Sequence, residues 1–386
     1  MSIETITLGC RLNLAESETI LRTAPPGETW IVVNSCAVTN EAVRQSRQAI
    51  RRAHRQSPSA KILVTGCAAE LDRSAFEGLR GVSRVVENSR KLNSFVANDV
   101  MAPAGFQGHV RSFVGVQSGC DHRCTFCSIW KARGPSRSLP FSLIRDAVAR
   151  EIDRGAKEIV LTGVDITDYD GGLGSLCQAL LACEPRLLRL RLSSLDGVEM
   201  DEPLFELIAG EPRLLPHFHL SLQAGDDLIL KRMKRRHNRR DAVRTVERIK
   251  AARPDSTIGA DLIAGFPTET DAMAINSLKL LDDCDIIAAH VFPFSPRPKT
   301  PAARMPQLPR EVVKARALRL REAAAERRRR WLDGLIGSAQ PVLIESEGKG
   351  HADNFAPVSI QGSLRGESGL ARITGRHVDQ LTATWV

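Results

Sequence analysis

Short apolar runs alternate with helical stretches through most of this chain, and that alternation restricts it to parallel sheets covered by helices. Over the first hundred residues the strand-like runs are Ile3–Leu8, Trp30–Val33 and Lys61–Thr65, and the helical stretches are Leu14–Leu21, Glu41–His54 and Glu70–Leu79. Residues 107–117 read as a new strand, and the alternation resumes there. Candidate strands are Val110–Val116, Glu158–Thr162, Leu187–Ser193, His217–Leu222, Thr257–Ile263 and Asp285–Phe292, with helices such as Phe141–Arg154 and Thr268–Leu281 between them. Six such units are too few to close an eightfold barrel, so an open partial barrel is expected, with its reactive loops at the carboxyl ends of the strands. Pro293-Phe294-Ser295-Pro296-Arg297-Pro298 breaks the pattern, and Leu308–Leu332 reads as a long basic helix. The β-branched runs Pro341–Glu345, Ala356–Ile360, Leu370–Thr374 and Leu381–Val386, separated by glycine-rich turns, read as a small all-β barrel or sandwich. The expected fold class is α/β in three parts. These are an N-terminal parallel α/β domain over residues 1–102, an open (βα)6 partial barrel with its basic helix over 106–332, and a small all-β barrel over 333–386.

The cysteines fall where such a fold would use them. Cys120, Cys124 and Cys127 form a Cys-x3-Cys-x2-Cys run on the loop after the first barrel strand. Three thiolates on one short loop can hold three irons of a cubic iron–sulfur cluster and leave the fourth iron free to bind a small molecule. A zinc knuckle is the alternative, but zinc favours two cysteine pairs and a closed tetrahedron, and no second Cys-x2-Cys pair is present. Cys10, Cys36 and Cys67 each follow a strand run of the first domain. Ligands collect beyond the carboxyl ends of parallel strands, so these three are expected to converge and hold a second cluster. Gly9 and Gly66 are expected to let backbone approach a bulky group. Cys177 and Cys183 on a helix, and Cys284, read as core thiols.

Cysteines in this number, with no export signal over Met1–Cys10, point to metal in a reducing cytoplasm. No apolar stretch approaches the ~20 residues of a membrane span. The formal net charge of +9 suits a polyanion such as RNA. The charge is concentrated. Residues 231–253 carry eleven Lys or Arg against two acids, residues 310–330 carry nine against three, and the last 56 residues are net acidic.

Further motifs carry a resemblance. They are Thr7-Leu8-Gly9-Cys10-Arg11-Leu12-Asn13, Asn34-Ser35-Cys36-Ala37-Val38-Thr39, Thr65-Gly66-Cys67, Arg133-Gly134 with Arg137-Ser138, Leu161-Thr162-Gly163-Val164, His219–Asp226, Asp261–Thr270 and Phe294-Ser295-Pro296-Arg297-Pro298. With the Cys120–Cys127 loop and Phe126 inside it, they make the chain resemble the methylthiotransferases, a branch of the radical S-adenosylmethionine (SAM) enzymes. The C-terminal module is similar to a TRAM domain. The sequence departs from the family in lacking a Pro-Tyr pair after Cys127 and in placing Lys299 where glycine is usual.

The resemblance implies a radical-SAM 4Fe-4S cluster on Cys120, Cys124 and Cys127 and an auxiliary 4Fe-4S cluster on Cys10, Cys36 and Cys67. It implies SAM bound across the strand ends, with Phe126, Thr162, Gly163, Ser193, Ser194 and Gln223 as candidate contacts. Arg133 and Arg137 are candidates for binding anions or for pairing with acids. The implied reaction inserts sulfur and then a methyl group at an unactivated carbon–hydrogen bond. The first motif is most similar to the members acting at carbon 2 of threonylcarbamoyl-adenosine in tRNA. The alternatives are isopentenyl-adenosine, a ribosomal protein, or an iron–sulfur RNA-binding protein without turnover. The implied partners are a tRNA anticodon stem-loop and an electron donor such as flavodoxin or ferredoxin, with the protein a monomer.

Overall fold

The computed structural model describes residues 3–23, 28–95, 102–105 and 109–386. Residues 107 and 108 of the expected strand, and the boundary expected at residue 106, lie outside the described residues.

The first sheet contains β1 (Glu4–Thr7), β2 (Trp30–Ser35), β3 (Lys61–Gly66) and β4 (Val82–Val85), all parallel and in that order. Ile31–Val33 and Ile62–Val64 are buried, as strands covered on both faces must be. β4 was not expected: Val-Ser-Arg-Val carries too few apolar residues to signal a strand, and only Val85 is buried. The expected helix Glu70–Leu79 is broken at Asp72 into Cys67–Leu71 and Arg73–Glu77.

The central region contains β5 (Arg111–Gly115), a short antiparallel pair of β6 (Gln117–Ser118) and β7 (Arg137–Ser138), then β8 (Glu158–Thr162), β9 (Leu190–Leu192), β10 (His217–Gln223), β11 (Thr257–Ala264) and β12 (Ile286–Pro293). β5-β8-β9 and β10-β11-β12 are parallel sheets. Parallel bridges Leu190–Leu214 and Leu195–Leu220 join them into one open curve. Along β10, Phe218, Leu220 and Leu222 are buried, while His217, His219, Ser221 and Gln223 alternate with them on the other, polar face. The helix Arg310–Gly334 packs along β12.

The last region is a closed barrel in the order β13 (Ala339–Ser346), β14 (Lys349–Ala352), β15 (Pro357–Ser359), β17 (Gln380–Trp385) and β16 (Ser368–His377). β14, Lys-Gly-His-Ala, has no β-branched residue and gave no strand signal. This barrel docks on the amino-terminal ends of the central strands, the end away from the cysteine loop. Phe355 stacks between His217 (4.9 Å) and His351 (4.6 Å), under the guanidinium of Arg191. Arg111 Nη2 donates to Glu345 Oε2 at 2.5 Å, and Arg191 donates to the carbonyls of Asp353 and Ala352.

Candidate active site

Each cysteine of the first domain sits where a strand hands over to a helix. Cys10 caps the helix Arg11–Arg22. Cys36 opens the turn to the helix Asn40–Gln56, which Thr39 caps by accepting from the Ala42 N–H at 3.1 Å. Cys67 is the first residue of its helix. The three thiols lie within electrostatic reach of one another, and burial pushes that of Cys36 up to about 11. Gly9 and Gly66 hold φ of +97° and +95°. A Cβ at Gly9 would come within 2.6 Å of Cys36 Sγ, and one at Gly66 within 2.3 Å of the Ser35 carbonyl. These glycines therefore permit the strand ends to approach one another, which is a more local reason than the one expected from sequence.

The second triad lies on the loop between β6 and β7. Burial pushes Cys120 up to about 12 and Cys127 up to about 11. Among the weaker influences on Cys127 is the charge of Cys67 from the first triad. Arg235 closes the far side of the loop. Its Nη1 lies 3.7 Å from Cys124 Sγ, while Nη2 donates to Asp196 Oδ2 and the Ser221 carbonyl, each at 2.8 Å.

A cavity of about 210 Å³ opens beside Cys127 and the turn after Cys36. The Ala37–Thr39 turn, Phe126–Ile129 and the ends of β10–β12 line it, including Gln223, Asp261, Phe292 and Arg297. Asp261 Oδ1 takes hydrogen bonds from His219 (3.0 Å) and His290 (3.2 Å). Burial opposes its ionisation, but those two histidines hold it well below the usual carboxylate range.

Of the residues expected at SAM, Phe126 and Gln223 line this cavity. Gln223 is in the left-handed region, at φ 70°. Thr162, Gly163, Ser193 and Ser194 are not among its lining residues; they stand at the ends of β8 and just past β9. Two residues missed by sequence reasoning stand there with them. Gln117 Oε1 accepts from the Val164 and Asp165 N–H groups at 3.1 and 2.9 Å, and its Nε2 donates to Gly119, lacing β8 to the cysteine loop. Asp165, buried, lies 3.8 Å from Cys120 Sγ and pairs with His122 Nε2 at 2.8 Å. Its position two residues past Gly163 was the available signal.

Arg133 pairs with an acid, Glu16, and Arg137 donates to the Arg133 carbonyl. Cys177 and Cys284 are buried, as expected, but Cys183 is exposed at the end of its helix, and its core assignment is corrected. Lys299 adopts φ 63°, the left-handed conformation that favours glycine.

Residues 114–281 match the family model described as the Radical SAM superfamily, and residues 2–86 match the one described as Uncharacterized protein family UPF0004. The threonylcarbamoyladenosine tRNA methylthiotransferase MtaB of Rickettsia prowazekii (strain Madrid E) is 42% identical over 382 residues, covering 92% of this chain and 91% of that protein. The MtaB of Thermotoga maritima is 34% identical, covering 88% of this chain and 85% of that protein. The tRNA-2-methylthio-N(6)-dimethylallyladenosine synthase of Erythrobacter litoralis (strain HTCC2594) is 31% identical, with coverage of 89% and 86%. Among solved structures, the radical SAM methyltransferase TsrM of Kitasatospora setae superposes with a TM-score of 0.55 over 78% of this chain and 74% of that one, at 13% identity, which bears on the fold alone.

The fold and the matched model define a radical S-adenosylmethionine protein. Within that class, the chain belongs to the MtaB family of threonylcarbamoyladenosine tRNA methylthiotransferases.

Proposed function

We propose that this chain adds a methylthio group at carbon 2 of the threonylcarbamoyl-modified adenosine next to the anticodon of tRNA. The observation that carries the reading is a cavity bordered both by Cys127 of one triad and by the turn that follows Cys36 of the other. The residues fit two iron–sulfur clusters: each triad is three free thiols with a largely buried guanidinium nearby, Arg235 at Cys124 and Arg297 acting on Cys36, and that of Arg297 has no anionic partner among the described residues. A 4Fe-4S cluster with SAM on Cys120, Cys124 and Cys127 supplies hydrogen-atom abstraction, and a second cluster on Cys10, Cys36 and Cys67 supplies sulfur. The protein's part is to bind and orient. Asp165, beside Cys120, suits the ammonium of the methionine moiety. Thr162, Gly163, Ser193 and Ser194 suit the rest of SAM, while Phe126 and Gln223 meet it from the cavity.

Arg11 favours threonylcarbamoyl over isopentenyl as the substituent. It follows Cys10 and lies 5.8 Å from the Phe113 ring. Burial acts on it most, followed by the charges of Arg111, Arg191 and Glu158 and, least, the Asp261 carboxylate on the cavity. A threonyl carboxylate would pair with this guanidinium, and an isopentenyl group would not.

The division into residues 1–102, 106–332 and 333–386 follows these roles: auxiliary triad, radical core and accessory barrel. The anticodon stem phosphates meet the basic runs. Arg235 is excluded from that surface, because its side chain is 7% exposed and turned to Cys124. Exposed Lys231, Lys234, Arg240, Arg244, Lys314 and Arg319 remain for it. A base taken out of the anticodon loop would enter the cavity. The protein works as a cytoplasmic monomer with a flavodoxin or ferredoxin as electron donor; no helix among the described residues is long and apolar enough to cross a membrane.

Mass spectrometry of tRNA nucleosides from a strain lacking this gene tests the reading. Loss of the methylthio form, with threonylcarbamoyl-adenosine left unmodified, is expected. An unchanged nucleoside profile would overturn it. Reductive cleavage of SAM by the purified protein separates an enzyme from an iron–sulfur RNA-binding protein.

A further inference from the structure

Arg297 is 5% exposed and follows the β12 end of the cavity. Its Nη1 donates to Asn40 Oδ1 at 2.6 Å, and Asn40 Nδ2 donates back to the Pro296 carbonyl at 3.2 Å. Thr300 Oγ1 donates to the Arg297 carbonyl at 2.8 Å. The guanidinium is thus pinned to the amino end of the helix that follows Cys36. Its Nε and Nη2 are buried and have no hydrogen-bond partner among the described residues.

A guanidinium does not shed its proton, and burying one against a single neutral acceptor is costly. An anion must complete it. The acid on the cavity wall, Asp261, is engaged by His219 and His290. The groups that act on Arg297 electrostatically are Cys36 and Cys127, one from each triad.

We propose that Arg297 is the positioning residue for the sulfur to be transferred, its free Nε and Nη2 N–H groups holding the anionic sulfur presented on the Cys10, Cys36 and Cys67 side of the cavity. This rests on the reading of those cysteines as ligands of an auxiliary cluster. Hydrogen bonds to cluster sulfurs withdraw electron density and raise the reduction potential. The Asn40 contact leaves the other two guanidinium nitrogens buried and unpaired on a residue that lines the cavity. Arg297 therefore fixes the direction from which sulfur meets the substrate and also sets the ease of reducing the cluster that carries it.

The test uses full-length protein with Cys120, Cys124 and Cys127 all replaced by alanine, reconstituted anaerobically, so that one cluster of about four irons is present. Its midpoint potential is measured by redox titration followed by electron paramagnetic resonance. Arg297→Gln is expected to shift the midpoint to more negative potential at unchanged iron content. Arg297→Lys, which keeps the charge and loses the fork, is expected to fall between. Asn40→Ala, which frees the guanidinium without removing it, is expected to shift the same way by less. If Arg297→Gln cannot hold iron, the other two variants give the measurement. An unchanged midpoint with full iron overturns the proposal. So does an unchanged midpoint accompanied, in the protein with all its cysteines, by a tenfold loss of SAM or tRNA affinity, which would assign the anion to a carboxylate of one or the other. A parent protein that holds no iron overturns the cluster reading itself.

Discussion

Arg133 and Glu16 face each other as a two-pronged ion pair, Nη1 to Oε1 at 2.8 Å and Nη2 to Oε2 at 3.0 Å, with both side chains buried. Glu16 lies on the helix that Cys10 caps, and Arg133 ends the helix after Cys127. The pair therefore ties the support of one triad to the support of the other. Lys91 Nζ joins it on Glu16, and Arg133 Nη2 also donates to Asn13 Oδ1 at 2.6 Å. Two cations against one carboxylate leave a positive charge beside Cys10 and Cys67. Burial opposes ionisation of Glu16, but Arg133 and Lys91 hold its carboxyl below the usual range.

Breaking such a pair from one side leaves buried charge uncompensated. Glu16→Gln should lower the free energy of unfolding by about 3–5 kcal/mol. Arg133→Met should cost a similar amount. The double variant should cost less than the sum of the two, because the groups share one network. Denaturant titration of the anaerobic protein measures all three, and simple additivity would show that the pair carries no coupling.

The two triads should be separable in composition and in role. Reconstituted protein should hold about eight irons, and the Cys120→Ala/Cys124→Ala/Cys127→Ala protein about four. The Cys10→Ala/Cys36→Ala/Cys67→Ala protein should still cleave SAM reductively and should form no methylthio product. Full iron in the first variant, or normal product from the second, would contradict the assignment.

Binding to the anticodon stem should weaken steeply with salt, by roughly 0.9 log units per log salt for each phosphate contact. Changing the exposed Lys231, Lys234, Arg240 and Arg244 to glutamine should lower affinity and flatten that slope, and should leave SAM cleavage without tRNA unchanged. Fluorescence anisotropy with a labelled stem-loop across a salt series gives the slope. The same slope in both proteins would place the RNA surface elsewhere.

Docking of the C-terminal barrel should depend on acid. Burial opposes ionisation of Glu345, but His351 and Arg111 hold its carboxyl down to about 2, against an ordinary 4.5. A depressed folded value contributes stability that is complete above the unfolded pKa and is lost as pH falls from about 4.5 towards 2. Glu345→Gln should therefore cost roughly 1–2 kcal/mol at pH 7, after allowance for screening at a partly exposed site. The gap to the parent protein should close as pH falls through that window, as denaturation at a series of pH values would record.

Much of the architecture was legible because parallel strands buried on both faces must be apolar runs. Glu158–Thr162 appears with the bounds expected of it, and the other five barrel strands lie within a residue or two of theirs, apart from β9, which is shorter. β4 and β14 were missed because an edge strand and a Lys-Gly-His-Ala strand are held by their neighbours' hydrogen bonds and have little apolar signal of their own. The positions of the six cysteines, three on one loop and three just past strand ends, were legible through spacing and through their place after strands. Gln117, Asp165, Asn40 and Glu16 were not, because each acts on a partner distant in sequence and none belongs to a spacing pattern.

The chain's local order by itself determined the parallel α/β class, the open barrel, the closing β module and the two cysteine triads, since hydrophobic period and ligand spacing are properties of neighbouring residues. Only the tertiary structure decided which charges of the basic runs are free. Lys231 and Arg240 are exposed, whereas Arg235, four residues from the first, is spent on Asp196 and Cys124. It also decided that Arg297 lines the cavity with two nitrogens unsatisfied, and that the C-terminal barrel covers the end of the central sheet away from the cysteines. The cost of a buried charge depends on what surrounds it in space, and a linear pattern of residues does not contain that information.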